Sequence, residues 1–178
     1  MEMIRYYESP AGRLVMTADG EYLTGLRFDD GREQRPERPA RACEDSIPAV
    51  LRETERWLDV YFSGRDPGFT PPLLACGTAF RRVVWEILTE IPYGRTVTYG
   101  EIAARAAARM NVARMSAQAV GGAIGHNPIA LIIPCHRVIG SDGSMTGYAG
   151  GTDRKILLLR MEKAGLFQNG PVQNVTSG

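Results

Sequence analysis

The chain is poor in the side chains from which disulfide frameworks, metal centres and membrane spans are built. Cysteine occurs three times, at Cys43, Cys76 and Cys135, with no CxxC pair. An odd, scattered set argues against a disulfide framework and against a cysteine-rich zinc site. Histidine occurs twice, at His126 and His136, too few to complete a ligand set, so no metal is expected. No apolar run approaches the roughly 18–20 residues of a spanning helix. The opening MEMIRYYESP carries charges of both signs and no apolar core, unlike a secretory signal. These shortages predict a soluble, cytoplasmic protein with reduced thiols and no membrane partner.

What is present is a globular composition: 178 residues, 44% hydrophobic and 23% charged, enough for one ordinary domain or two small ones. The net charge of +1 conceals an asymmetry. Residues 1–77 hold 10 basic and 14 acidic side chains, whereas residues 78–165 hold 11 and 6. A polyanionic partner would therefore meet the second half. Nineteen of the 21 basic residues are arginine, which composition alone explains as well as function does.

The chain opens with alternating segments, MIRYYESP, RLVMTADG and EYLTGLRFDD, with Asp19-Gly20 as a hairpin signal. An antiparallel meander is predicted. Residues 29–45 are charged and proline-broken and read as an exposed loop holding Cys43. From Ser46, a capping candidate with Pro48 behind it, apolar residues from Ile47 to Phe62 recur at helical spacing, Trp57 and Tyr61 among them as core. SGRDPGFTPPL is the candidate linker. Thr78 caps a helix with Phe80, Val83, Val84, Ile87, Leu88 and Ile91 on one face. Thr98-Tyr99-Gly100-Glu101 is a capping box. The helix it opens, a turn near MNVARM, and a second short helix from Ser116 to about Gly125 spell a helix-turn-helix in net-basic sequence. Ala117, Ala119, Gly121, Gly122 and Ala123 make the second helix small-sided, with Gln118 as the one long polar side chain in its middle. Either it packs tightly inside the protein, or a bulky surface such as a minor groove must approach its backbone. A final helix, TDRKILLLRMEKAG, turns Ile156, Leu158, Leu159 and Met161 inward and ends at Gly165 as C-cap.

Between those helices stands LIIPCHRVIG. IALIIP reads as a buried strand stopped by Pro134, which fixes Cys135 at the edge of a core. A free thiol near pKa 8.5 is only a few per cent thiolate at neutral pH, and a neighbouring imidazole or guanidinium raises that fraction. In an extended segment Cys135 and His136 face opposite ways, so they cooperate only across a turn or through a water.

NPIALIIPCHRVIGSDGSMTGYAGG, with GTAFRRVVWEILTEIPYGRTVTYGEIA upstream, resembles the O6-alkylguanine-DNA alkyltransferases, and PCHRV is that family's signature. The resemblance covers about Thr78 to Gly165, half of the chain. It implies an α+β fold: a small antiparallel-sheet and helix domain of ribonuclease-H-like type over residues 1–73, a mostly helical winged helix-turn-helix domain over 74–165, and a polar tail over 166–178. It implies single-use direct repair, in which a monomer binds double-stranded DNA through the minor groove without a cofactor. The O6-alkylguanine, or O4-alkylthymine, is flipped out and its alkyl group moves to the protein's cysteine, in a nucleoid-associated prokaryotic setting.

The resemblance implies these roles by position. Cys135 is the acceptor, His136 the base acting through a water, and Glu162 the carboxylate that orients it. Asn127 ties the recognition helix to the active-site loop. Tyr148 donates to guanine N3, the Ala149 amide meets O6, and the Cys135 and Val138 carbonyls take the guanine amino group. Tyr99 crowds the phosphate, and the small residues Ala119 and Gly121 belong to the helix that meets the groove. Gln118 stands where the family commonly has an arginine that replaces the flipped base, so Arg114 becomes the candidate for supplying the charge. The helix-helix connection is several residues longer than in shorter members, and its Arg105, Arg109 and Arg114 are candidate phosphate contacts. The zinc site of some relatives' first domain finds no matching ligands. A cysteine hydrolase, a lesion binder without transfer and a winged-helix DNA binder without chemistry are the rival readings.

Overall fold

The structure, a computed structural model, describes residues 2–31, 47–145 and 147–168. Cys43, the capping candidate Ser46 and most of the charged loop lie outside the described residues, as do positions 169–178 of the tail.

Three antiparallel strands open the chain: β1 (Glu2–Ser9), β2 (Gly12–Asp19) and β3 (Tyr22–Phe28), in the order β1-β2-β3. The Asp19-Gly20 signal is used as read: Asp19 pairs with Tyr22 across a two-residue loop, and Gly20 takes a φ of 60°, the left-handed setting a tight hairpin requires. Leu14, Met16 and Ala18 on β2 are fully buried, one face of a period-two strand. Helix α1 (Ala49–Phe62) lies against the strands and buries Val50, Leu51, Trp57, Leu58 and Tyr61. It starts after Pro48, which suits proline because no intrahelical donor is needed there.

The free edge of β3 joins the two halves. Leu23 N donates to Pro72 O (2.8 Å) and Leu74 N to Leu23 O (2.9 Å); further along, Leu26 N donates to Pro128 O (2.9 Å) and Ala130 N to Leu26 O (2.8 Å). The same edge thus holds both the linker and the segment that leads to Cys135. Gly25 is needed on the other side, where a Cβ would come within 2.4 Å of Thr17 Oγ1 on β2.

The second half is helical. Helix α2 (Ala79–Thr89) is capped by Thr78, whose hydroxyl accepts from Arg81 N (3.2 Å). Trp85 on α2 is buried and its Nε1–H donates to Ala123 O (2.9 Å), clamping α2 to the later helix that holds Ala123. Strand β4 (Val97–Thr98) leads into α3 (Tyr99–Arg109), whose first turn is closed by the reciprocal Thr98–Glu101 capping box. Ser116 caps α4 (Ala117–Gly125), completing the helix-turn-helix. Strand β5 (Val138–Ile139) pairs with β4 in parallel and delivers the PCHRV segment to the start of α3.

Two local expectations are corrected. IALIIP is buried but is not a strand: only Ile129 bridges to Leu26, after which the chain turns on itself. Gly165 does not end the last helix, because α5 (Thr152–Gln168) continues past it; an interior glycine costs about 1 kcal/mol, which a long helix tolerates. Among the described residues no helix is long and apolar enough to cross a membrane.

Candidate active site

Two tight turns place the cysteine. Ile132 N donates to Ala130 O (2.8 Å) around Leu131, a buried non-glycine residue with φ of 68°. Such a setting costs roughly 1–3 kcal/mol and persists only where packing enforces it. Cys135 N then donates to Ile133 O (2.8 Å) around Pro134 at φ −81°, ψ 66°, an inverse γ-turn. The chain leaves this turn as a single turn of 3₁₀ helix, Cys135–Arg137, with all three side chains buried. The turn removes the difficulty that an extended segment posed for Cys135 and His136.

Asn127 braces the loop from inside. Its Nδ2–H donates to Ile133 O (2.8 Å) and its Oδ1 accepts from Ile129 N (3.0 Å). Burial pushes the Cys135 thiol up from its ordinary pKa, while the Asn127 amide, nearby backbone amides and the Lys155 charge pull it back in part. The resting sulfur is therefore a protonated thiol, and a nucleophile at this position needs a base.

His136 is completely buried, and burial lowers its pKa even though Glu162 pulls the other way. Its Nε2 lies 2.7 Å from Glu162 Oε1. A carboxylate oxygen can only accept, so the proton sits on Nε2 and the lone pair on Nδ1. That Nδ1 is buried without a hydrogen-bond partner. Glu162 is fully buried and densely bonded. Arg137 Nη2 and Nε donate to Oε1 (3.0 and 3.2 Å), Arg137 Nε also donates to Oε2 (3.1 Å), Tyr61 Oη donates to Oε1 (2.9 Å), and Gly94 N donates to Oε2 (3.1 Å). Burial alone would raise this carboxyl, but the His136 bond and the neighbouring positive groups hold it well below the usual carboxylate range. It stays ionised, locked to Arg137, whose Nη1 is anchored on Ile91 O (2.8 Å).

Among the described residues four buried polar atoms have no hydrogen-bond partner: His136 Nδ1, Tyr148 Oη, Lys155 Nζ and Tyr93 Oη. Orphaned buried groups are uncommon and call for an explanation. The first three belong to residues around Cys135. Tyr148 presents its ring edge-on to His136 (6.5 Å) from the glycine-rich loop, and its hydroxyl is held in the neutral form by burial and by Cys135. Lys155 is fully buried on α5, its ammonium 5.9 Å from the Tyr99 ring centre. Burial lowers its pKa while Cys135 supports its charge.

Tyr99 stands at the N-terminus of α3. Its phenol is raised by burial first and then by Cys135. Its hydroxyl lies so close to the Gly147 backbone that a Cβ there would come within 2.9 Å. It thus stands close to the cysteine, beside Gly147 and Lys155. Val138 is buried behind the cysteine, and Ala149 is exposed on the loop beside Tyr148.

The other candidates lie on the outer surface. Arg114, Gln118 and Ala119 are exposed and Gly121 is half-buried, its Cα facing the Tyr99 ring. On α4, Val120, Ala123 and Ile124 turn inward, while Ala117, Ala119 and Gly122 face out. Those three small residues are therefore not packed inside the protein. Arg114 also lines an open groove of about 600 Å³ between α3 and the α3–α4 connection, away from the cysteine. Arg109 is engaged in an ion pair with Glu90.

Lys155, Arg137 and Tyr61 were not singled out by the sequence reading as parts of the site. Lys155, Leu158, Leu159 and Glu162 follow i, i+3, i+4, i+7 spacing on α5 and are all buried; a lysine and a glutamate on an apolar stripe are the signal that could have found Lys155, whereas Tyr61 carries no local signal.

The chain matches two family profiles. Residues 3–75 match the ribonuclease-like domain, and residues 79–164 the DNA binding domain, of 6-O-methylguanine DNA methyltransferase. The methylated-DNA–protein-cysteine methyltransferase of Haemophilus influenzae is 41% identical over 93% of this chain and 88% of that protein. The protein of the same name from Methanosarcina barkeri is 45% identical over 89% and 96%. Among solved structures, a Mycobacterium tuberculosis OGT in complex with DNA superposes with a TM-score of 0.75, 41% identical over 91% of this chain and 93% of that one. With a buried cysteine beside an oriented histidine, a helix-turn-helix above it, and likeness of this extent across both halves, the chain belongs to the methylated-DNA–protein-cysteine methyltransferase family.

Proposed function

We propose that the protein repairs O6-alkylguanine in double-stranded DNA by moving the alkyl group, methyl above all, onto its own Cys135. The observation that carries this reading is the oriented His136, with a buried, unpartnered Nδ1, in the same 3₁₀ turn as a buried, protonated thiol. His136 Nδ1 takes the Cys135 proton, through one water, while Glu162 holds Nε2–H and steadies the imidazolium that forms. The sulfur attacks the alkyl carbon; the carbon–O6 bond breaks as the carbon–sulfur bond forms, and the electron pair leaves with the guanine. A phenol donating to the base keeps it from departing as a bare anion. The orphaned Tyr148 hydroxyl suits guanine N3, Tyr99 closes the facing wall, and the Ala149 amide and the Cys135 and Val138 carbonyls supply the remaining edge contacts. The Lys155 ammonium favours the thiolate as it develops.

The reacting carbon cannot reach a buried sulfur while its base is stacked, so the nucleotide must be extruded, at a few kcal/mol. The exposed small face of α4 suits entry into a minor groove. Gln118 fills the vacated place in the stack, and Arg114 supplies charge to a phosphate. O4-alkylthymine presents the same kind of alkyl carbon and is a second substrate under this reading. The thioether has no route back, so each monomer acts once.

The test is to incubate the full chain with a duplex containing O6-methylguanine, digest it and weigh the peptide around Cys135. One added methyl on that peptide, never more than one per chain, and none with Cys135→Ser, is the expected result. An unmodified peptide with tight binding would mean a lesion binder, and repeated turnover a hydrolase.

A further inference from the structure

Tyr61 sits in the last turn of α1, in the N-terminal domain, yet its hydroxyl ends inside the charge cluster of the second domain. It is fully buried. Its ring is stacked on Trp57 (5.2 Å, 9°) and set edge-on to Phe62, Tyr93 and His136. The hydroxyl donates to Glu162 Oε1 at 2.9 Å, the same oxygen that takes the His136 proton, and its oxygen lies 3.4 Å from His136 Nε2. A phenylalanine would fill the packing role of such a position equally well. The hydroxyl is the part that needs a reason.

We propose that Tyr61 is a positioning residue for the alkyl transfer: by bonding Glu162 Oε1 it fixes the carboxylate and limits its pull on His136, so that Nδ1 stays unprotonated and available as the base. The proposal rests on the alkyl-transfer reading above, and it gives the first domain a part in the chemistry of the second. Every donor on a carboxylate reduces the negative charge it offers to the others. With Tyr61 and Arg137 both bonded to Oε1, Glu162 still orients the imidazole but stabilises an imidazolium less. The groups that face His136 divide accordingly. Glu162 from α5 favours protonation; Arg137 from the same turn and Lys155 from α5 oppose it. Tyr93 from the segment after α2 and Tyr148 from the glycine-rich loop are neutral phenols, and Cys135 is a neutral thiol at rest.

The experiment compares wild type, Tyr61→Phe and Tyr93→Phe as full chains, in single-turnover methyl transfer from an O6-methylguanine duplex between about pH 5 and about pH 9. Tyr93 is the control because its hydroxyl is buried in the same aromatic cluster without a hydrogen bond. The expected result is that Tyr61→Phe moves the acid limb of the rate profile to higher pH by about half a unit to one unit, slowing transfer roughly 3- to 10-fold on that limb. Affinity for the duplex stays unchanged, and Tyr93→Phe leaves the profile in place. Superposition of the Tyr61→Phe and wild-type profiles, or an equal shift in Tyr93→Phe, overturns the proposal even where Tyr61→Phe lowers the melting temperature. Absence of transfer in wild type instead overturns the alkyl-transfer reading. Should Tyr61→Phe fail to fold, NMR of the wild-type protein decides: a slowly exchanging Tyr61 hydroxyl proton close to a protonated His136 Nε2 is expected, and its absence, or a proton on Nδ1, overturns the proposal.

Discussion

The outer face of α4 and the cluster beneath Cys135 reverse the usual distribution of side chains. On α4, alanine and glycine face solvent around a single glutamine. In the cluster, Arg137, Lys155, His136 and Glu162 are buried, although charged residues are almost never fully buried unless paired. The outer face gives up side-chain length so that another surface can come close. The inner cluster accepts desolvation so that one imidazole has a fixed tautomer and one sulfur has a base. Each is a poor choice for stability alone, and under the proposed alkyl transfer the first would meet DNA while the second does the chemistry.

The largest effect should come from opening the cluster. Glu162→Gln keeps the shape but leaves the Arg137 guanidinium without its carboxylate, and breaking a buried pair in this way costs about 3–5 kcal/mol. Denaturant unfolding should show a loss of that order, and methyl transfer should fall with it because the histidine loses the partner that sets its tautomer. Acid attacks the same cluster. His136 is buried with a lowered pKa, so protons bind the unfolded chain in preference from about pH 6.5 downward. Glu162 is also lowered, and its contribution is present above the ordinary carboxylate pKa and lost as pH falls toward its own. Both push the same way. Melting temperature should decline steadily as pH drops below about 6.5, and less steeply in His136→Gln. A melting temperature flat from neutral pH to about pH 4 would sink the assignment of His136 as a buried neutral base.

How far the two regions could be read from sequence differs for the same physical reason. The outer face was legible because local rules govern it: Thr98 and Glu101 form the capping box, Ser116 caps α4, and the small residues fall where helical spacing puts them. The strands were legible through alternation and Asp19-Gly20. The cluster was not, because its bonds join distant parts of the chain. Tyr61 and Glu162 are 101 residues apart, and Tyr61 and His136 are 75 apart; nothing local distinguishes Tyr61 from a plain core aromatic. Glu162 and Asn127 came from family resemblance and not from periodicity. IALIIP was misread as a strand because a short apolar run looks the same whether it pairs along its length or turns at Leu131.

A smaller effect tests the outer face. A Cβ at Gly122 would meet nothing within 4 Å, so Gly122→Leu should fold at least as well as wild type and gain up to about 1 kcal/mol from helix propensity. If α4 must approach DNA closely, the same change should weaken duplex binding tenfold or more, about 1.4 kcal/mol, with stability moving the other way. Unchanged binding in fluorescence anisotropy would mean that this face does not meet DNA.

The smallest predicted change concerns the one long side chain on that face. Gln118 is exposed and neutral, so whatever it does in the vacated stack, it releases no counterion from the DNA. Gln118→Arg adds one positive charge where a phosphate or a cytosine edge can meet it. Each phosphate neutralised steepens the dependence of log binding constant on log salt by about 0.9. The slope should therefore become more negative by about one unit, with a gain in affinity at low salt that fades as salt rises. Methyl transfer at saturating DNA should stay close to wild type, because the charge acts on the bound complex and not on Cys135. If the salt slope is unchanged while transfer at saturation rises, the arginine is acting inside the stack and not on the backbone. Gln118 would then limit how readily the base leaves the helix, not how tightly the protein holds it.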